Sequence, residues 1–406
     1  MGQGLPVRKV LQVHNRYRWS PGGEISVLEA EAALMRARGV EVAQFFVDNS
    51  DDAVSGLKNK LKTATDCVWS PSARKAVRAA IREHRPDLIH VHNFFVHLSP
   101  SVYWAAHDER IPVVQTLHNF RLLCAEASFL RDNRPCQDCV GKAFPAPALK
   151  HKCYKGSLAG TVPLVAMQVV NRLNGSFTKK VNAYIVLSEF AKEIFTRGGL
   201  PAHRLHVKPN FADRAELEQG HERNSHFVFA GRLSPEKGGS VLVEAWTKAP
   251  PPGWTCLILG EGPEREELQR ASTHVPSLQW LGWREFEEVG RLVAQSRFLV
   301  NSSVTYESFG LSLVEALARG TPCIVPNHGQ MPEISGVSDV SLGFRPGDPN
   351  DLHRVLHQAA AMADEEWQHR SDAARARYEA HFTAERNFEQ LMDVYRAALA
   401  DFEDQR

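Results

Sequence analysis

The stretch that decides the fold is KVLQVHNRYRWSPGGEISVLEAEAALMRARGVEVAQFFVD, residues 9–48. Residues 9–13 read as a strand and Pro21, Gly22 and Gly23 as a turn. Ile25, Leu28, Ala32 and Met35 then recur at helical spacing until Gly39 stops the helix. A second apolar run, residues 40–48, follows at once. Strand, glycine turn, helix and strand in that order open a doubly wound parallel sheet. Gly22 and Gly23 carry no side chains, so a phosphate or an acceptor can approach the backbone there. A turn needed only for packing would read the same way.

Outward from this unit, a helix over residues 72–83 leads to DLIHVHNFF, a buried strand ending in His90, His92 and Asn93. The apolar run 111–117 delivers His118 at its carboxyl end. Ligands of open α/β sheets lie outside the carboxyl ends of the strands, so His118 is better placed for chemistry than most of the 18 histidines. Residues 226–230, 255–259, 278–282, 297–301, 321–325 and 340–344 read as further strands with helices between most of them, which makes a second parallel sheet. The polar stretch 200–224 breaks that rhythm and reads as the link. Two long helices, near 364–380 and 384–402, end the chain.

A chain of 406 residues exceeds one ordinary core and fits two domains. Its net charge of +1 hides an asymmetry: residues 1–200 carry 27 Lys and Arg against 17 Asp and Glu, the remainder 21 against 30. Two domains that attract each other, or a basic half that meets an anionic surface or substrate, both fit this split. Nucleic acid does not, since no binding signature accompanies the near-zero total. No secretory signal precedes the first strand, so a cytoplasmic location is expected. The apolar stretch 158–170 is interrupted by Pro163 and too short to span a bilayer; it reads as a buried helix, or else as a segment lying on a membrane surface. GLKNKLK, residues 56–62, reads as a solvated basic face or a contact with anionic lipid.

Chemistry concentrates in three places. YESFGLSLVEALARGT, residues 306–321, sets Glu307 and Glu315 on either side of a loop that enters a short buried helix at Gly310. Free backbone N–H groups and the helix dipole make such an N-terminus an anion site. AGRLSPEKGG, residues 230–239, offers Arg232 as a planar fork and Lys237 as a point charge, a clamp suited to a diphosphate, or else an ordinary surface turn. ILGEGP, residues 258–263, ends another strand in a tight Gly-Glu-Gly turn. Separately, Cys124, Cys136, Cys139 and Cys153 lie in one inserted segment spaced C-x11-C-x2-C-x13-C. Without a secretion signal, four clustered thiols favour a structural zinc over disulfides, with an iron-sulfur cluster or unliganded thiols as the other readings. Cys67, Cys256 and Cys323 read as ordinary buried residues.

Together AGRLSPEKGG, ILGEGP and ESFGLSLVEALARGTPCIVP, with PGGE near the start and TLHN midway, resemble the retaining enzymes of glycosyltransferase family 4. That resemblance implies α/β architecture of the GT-B type, two facing Rossmann-like doubly wound domains with a central cleft. It implies an acceptor-side domain over residues 1–207 with a Cys-rich insert at 121–156, a donor domain over 208–383, and a final helix, 384–406, packing back on the first domain. It implies transfer of a sugar from a UDP- or GDP-linked donor to a glycan or lipid-linked acceptor without a catalytic metal; the basic first half fits, besides, a peripheral contact with the inner face of an anionic membrane. Arg232 and Lys237 would hold the diphosphate with the N–H groups of Gly310 and Leu311, Glu315 the ribose, and Glu307 the sugar. His118 would line the catalytic centre, and Gly22 and Gly23 would border phosphate and acceptor. Asn119 stands where many relatives have Asp. A nucleotide-sugar epimerase or phosphorylase of the same architecture, or a non-catalytic scaffold using the cysteine insert, are the alternative readings.

Overall fold

The computed structural model of the chain describes residues 5–16, 23–49, 57–212 and 223–405. Gly22 lies outside them. The chain divides into two compact units: Met1–Ser128, Gln137–Pro209 and Asn387–Arg406 form one, Phe129–Cys136 and Asn210–Arg386 the other.

In chain order the strands are β1 (Lys9–Arg16), β2 (Glu41–Asp48), β3 (Leu88–Asn93), β4 (Val113–Thr116), β5 (Leu130–Arg131), β6 (Arg134–Pro135), β7 (Ala183–Val186) and β8 (Leu205–Val207). They continue with β9 (Asn224–Ala230), β10 (Thr255–Leu259), β11 (Leu278–Gly282), β12 (Ser296–Val300), β13 (Cys323–Pro326) and β14 (Leu342–Phe344). The first unit holds a parallel sheet in the order β2-β1-β3-β4-β7-β8, the second a parallel sheet in the order β11-β10-β9-β12-β13-β14. β5 and β6 form a small antiparallel hairpin in the segment that groups with the second unit.

Both main sheets are parallel, which requires helices on both faces and therefore near-continuous apolar strands. β3, β4 and β7 are buried at every residue, and so are Phe227, Val228 and Phe229 of β9. Helix boundaries follow local chemistry. Before helix Pro71–His84 the Ser70 hydroxyl accepts from the Ala73 N–H, Pro71 takes the first helical position, and Arg85 ends it with φ of 49°. The last helix, Ala384–Asp404, is tied to the first unit through Asn387 Nδ2, which donates to the Pro209 carbonyl (2.6 Å), and Asp401, which accepts from Arg204 Nε (2.8 Å).

Two sequence expectations need correction. The 200–224 stretch contains β8, a three-residue strand at the edge of the first sheet, masked in the sequence by Pro201, Pro209 and the histidines around it. The 158–170 stretch belongs to helix Leu158–Leu173, which is not buried all round. Thr161, Leu164, Val165, Met167, Gln168 and Asn171 face inward, while Leu158, Val162, Val170 and Leu173 are 42–83% exposed. Its apolar residues exceed what one inward stripe can bury, and Pro163 sits within the helix without ending it.

Candidate active site

In the second unit the strand order reverses between β9 and β12, the position where doubly wound sheets bind ligands outside the strand ends. The loop after β9 carries Arg232 and, on a short 3-10 turn Pro235–Lys237, Lys237. The loop after β12 carries Ser302, Ser303 and Glu307 and runs into helix Leu311–Ala318. The two loops are laced together. The Val304 N–H donates to the Glu236 carbonyl (3.1 Å) and the Ser302 hydroxyl to the Gly238 carbonyl (2.8 Å). Gly238 must be glycine here: its φ is 65°, and a Cβ would lie 2.0 Å from the Ser302 carbonyl oxygen.

This lacing brings Lys237 onto Glu307. Nζ donates to both carboxylate oxygens, at 2.7 and 2.8 Å, and the Ser303 hydroxyl donates to Oε1 as well. The carboxylate side chain is 10% exposed and the lysine 34%. Burial alone would raise the Glu307 pKa; the Lys237 ammonium, the Ser303 hydroxyl and nearby His328 together hold it below the ordinary value. Arg232 is exposed and makes no described contact with this pair. Gly310 adopts φ of 89° at the N-cap of helix Leu311–Ala318, leaving the first N–H groups of that helix to be met from outside. Glu315 lies on the same helix, half-buried, its pKa pushed up to about 7 by burial against the opposing charge of Arg319.

In the first unit the order reverses between β1 and β3. His14 on β1, His90 and His92 on β3 and His118 beyond β4 are all buried there. Helix Gly23–Ala37 adds Glu24 and Glu31. Burial pushes His14 down to about 4 and His118 to about 3, and lowers His90 and His92 as well, so these rings are neutral at physiological pH. It pushes Glu24 up to about 8, partly offset by Arg121. Gly23 opens its helix with nothing within 4 Å of a Cβ position, so open space, not strain, distinguishes it.

The four insert cysteines are part-exposed, whereas Cys67, Cys256 and Cys323 are buried, with thiols that burial pushes up. Ser303, His328 and Glu31 carry no motif of their own and escape sequence reasoning. Only the SSVTYES run beside Glu307 hints that hydroxyls stand at that strand end.

Two parallel Rossmann-like units are the architecture of the GT-B class of glycosyltransferase. The sequence matches the family described as Glycosyltransferase Family 4 over residues 21–216 and that described as Glycosyl transferases group 1 over residues 224–361; the chain belongs to this family of glycosyltransferases. It is 28% identical to the D-inositol 3-phosphate glycosyltransferase of Mycolicibacterium smegmatis over 97% of this chain and 91% of that one. It is 26% identical to the sulfoquinovosyl transferase SQD2 of Arabidopsis thaliana over 36% of this chain and 29% of the relative. The fold is similar to that of Anabaena HepE, solved in complex with UDP, with a TM-score of 0.66 at 19% identity over 95% of this chain and 98% of the other.

Proposed function

We propose that the protein transfers a sugar, with retention of configuration, from a nucleoside diphosphate sugar to a glycan or lipid-linked acceptor. The observation that carries this reading is the Lys237–Glu307 pair at the β9/β12 switch point, beside the open helix start at Gly310. A nucleotide diphosphate entering that point meets the Lys237 ammonium, the Arg232 guanidinium and the N–H groups of Gly310 and Leu311, which together offset the charge on the leaving group without a catalytic metal. Glu307, released from Lys237, accepts from sugar hydroxyls, Glu315 accepts from the ribose, and His118 lines the catalytic centre. In the step itself, the bond from the anomeric carbon to the phosphate oxygen breaks and the acceptor oxygen bonds the same face. The acceptor proton passes to the departing phosphate. Screening UDP- and GDP-sugars for nucleoside diphosphate release tests the reading; release with no donor, in the presence of acceptor extract, would refute it.

The Glu315 role has a pH signature. An ionised carboxylate accepts from both ribose hydroxyls and a protonated one does not, so nucleotide affinity is expected to fall about tenfold per unit below pH 7 and to level off above it. The sign on stability is opposite: a pKa raised from 4.5 to about 7 makes ionisation of the free protein destabilising as pH rises through that window. Calorimetric titration with UDP and GDP from pH 5 to 9 would show the trend, and a flat profile would remove Glu315 from the ribose site.

No helix among the described residues is long and apolar enough to cross a membrane. A cytoplasmic protein touching an anionic inner leaflet is supported by the exposed stripe Leu158, Val162, Val170 and Leu173, with exposed Leu61 and Lys62 on the helix packed beside it. Running the donor screen with and without anionic vesicles tests this contact, and an unchanged rate would remove it. The insert cysteines Cys124, Cys136, Cys139 and Cys153 are proposed to hold a structural zinc. Purified protein is then expected to carry about one zinc per chain by elemental analysis, and no zinc would overturn the assignment.

A further inference from the structure

The first unit buries a polar chain that the transfer reaction does not obviously need. Glu31 is 2% exposed, His92 3% and His118 8%. His92 Nδ1 lies 3.1 Å from His118 Nε2. The other ring nitrogen of His92, Nε2, lies 3.6 Å from Glu31 Oε1, and neither of those two atoms has a hydrogen-bond partner. The second Glu31 oxygen is 3.1 Å from Lys208 Nζ, which in turn donates to Asn387 Oδ1 (3.0 Å). His90, stacked on His92, faces the same Glu31 Oε1 through Nδ1 (3.3 Å), which also lies 3.0 Å from Tyr395 Oη, while its Nε2 lies 2.7 Å from Thr116 Oγ1.

We propose that Glu31 and His92 are positioning residues that fix which nitrogen of His118 carries its proton. With the Lys208 ammonium beside its other oxygen, the Glu31 carboxylate presents Oε1 as an acceptor to both His90 Nδ1 and His92 Nε2, which favours a proton on each and makes His92 the Nε2–H tautomer. A neutral ring then has a bare Nδ1, which accepts from His118 Nε2–H. His118 is left with Nδ1 as a hydrogen-bond acceptor, able to accept from a hydroxyl and not to donate to one. The neutrality of both rings, which their burial enforces, makes the tautomer the only variable left. A metal ion held by Glu31, His90 and His92 is the competing use of the same atoms, which all lie within 4.8 Å of one another. Lys208 already supplies the cation for Glu31, and a divalent ion would add two uncompensated charges to a dry site.

The inference rests on His118 lining the catalytic centre, but its test does not. Long-range nitrogen-proton NMR on histidine-labelled protein reads the tautomers directly. The expected result is Nε2–H on both His92 and His118 in the wild type. In Glu31→Gln the amide can donate to His92 Nε2, so both rings are expected to switch to Nδ1–H. Glu31→Gln combined with Lys208→Met, which removes the charge otherwise left unpaired, should show the same switch if the single variant folds poorly. Where a donor is known, turnover in the folded variant should fall at least about tenfold with the donor KM nearly unchanged. Nδ1–H on wild-type His118, tautomers that do not respond to Glu31→Gln, or a stoichiometric metal lost with Glu31→Gln would each overturn the proposal. His118→Ala with full transfer activity would instead count against the catalytic placement of His118 and leave the tautomer result standing.

Discussion

Glu307→Ala is expected to lower sugar transfer by about 10²- to 10³-fold while leaving affinity for the nucleoside diphosphate within about threefold of wild type, or tighter. Glu307 occupies both of its oxygens with Lys237 in the free protein. Removing the carboxylate frees that ammonium for phosphate, so the ground-state grip on the nucleotide is not weakened. What disappears is the buried acceptor for the sugar. Lys237 is a third exposed and can take water in place of the carboxylate, so the loop is expected to stay folded. Single-turnover rates beside UDP and GDP calorimetry check both halves. Parallel loss of binding and turnover would show that Glu307 shapes the nucleotide site instead.

Lys237→Ala carries the opposite signature. One charge-assisted contact to phosphate is worth roughly 1.5 to 3 kcal/mol, so nucleoside diphosphate affinity is expected to fall about 10- to 150-fold. The variant also leaves Glu307 buried without its cation. Burial, which the ammonium, the Ser303 hydroxyl and His328 together outweigh in the wild type, then meets less opposition and shifts that carboxylate's pKa upward. A carboxylate with a depressed pKa contributes stability that is present above its unfolded value near 4.5 and lost as pH falls through the folded value. The stability gap between wild type and Lys237→Ala is therefore expected to be open at pH 7 and to close as pH falls below 4.5 and through the depressed folded value. Calorimetric affinity unchanged by the substitution would sink the clamp.

The alternation of strands, glycine turns and helices made the two parallel sheets legible, because buried parallel strands are continuous apolar runs. β8 was not legible, since three residues flanked by prolines carry no periodic signal. The partial exposure of helix Leu158–Leu173 escaped for a related reason: composition reports how apolar a segment is, and only packing decides how much of it finds a partner. Within the site, Lys237 and Glu307 stood out through residue type and flanking glycines. That they touch depends on Gly238 passing against the Ser302 carbonyl, a contact across 64 positions that no local pattern announces. The Glu31–His92–His118 chain is more remote still: His118 stood out as a strand-end residue, but only the sheet order brings Glu31 and His92 to it.

Central to the account is retaining transfer from a nucleotide sugar. With a donor found by the screen and its acceptor, time-resolved proton NMR of the anomeric signals during turnover tests it most directly. The expected first product has the donor's anomeric configuration and appears in step with free nucleoside diphosphate. An inverted product would contradict retention, and a rearranged sugar still attached to its diphosphate would contradict transfer itself.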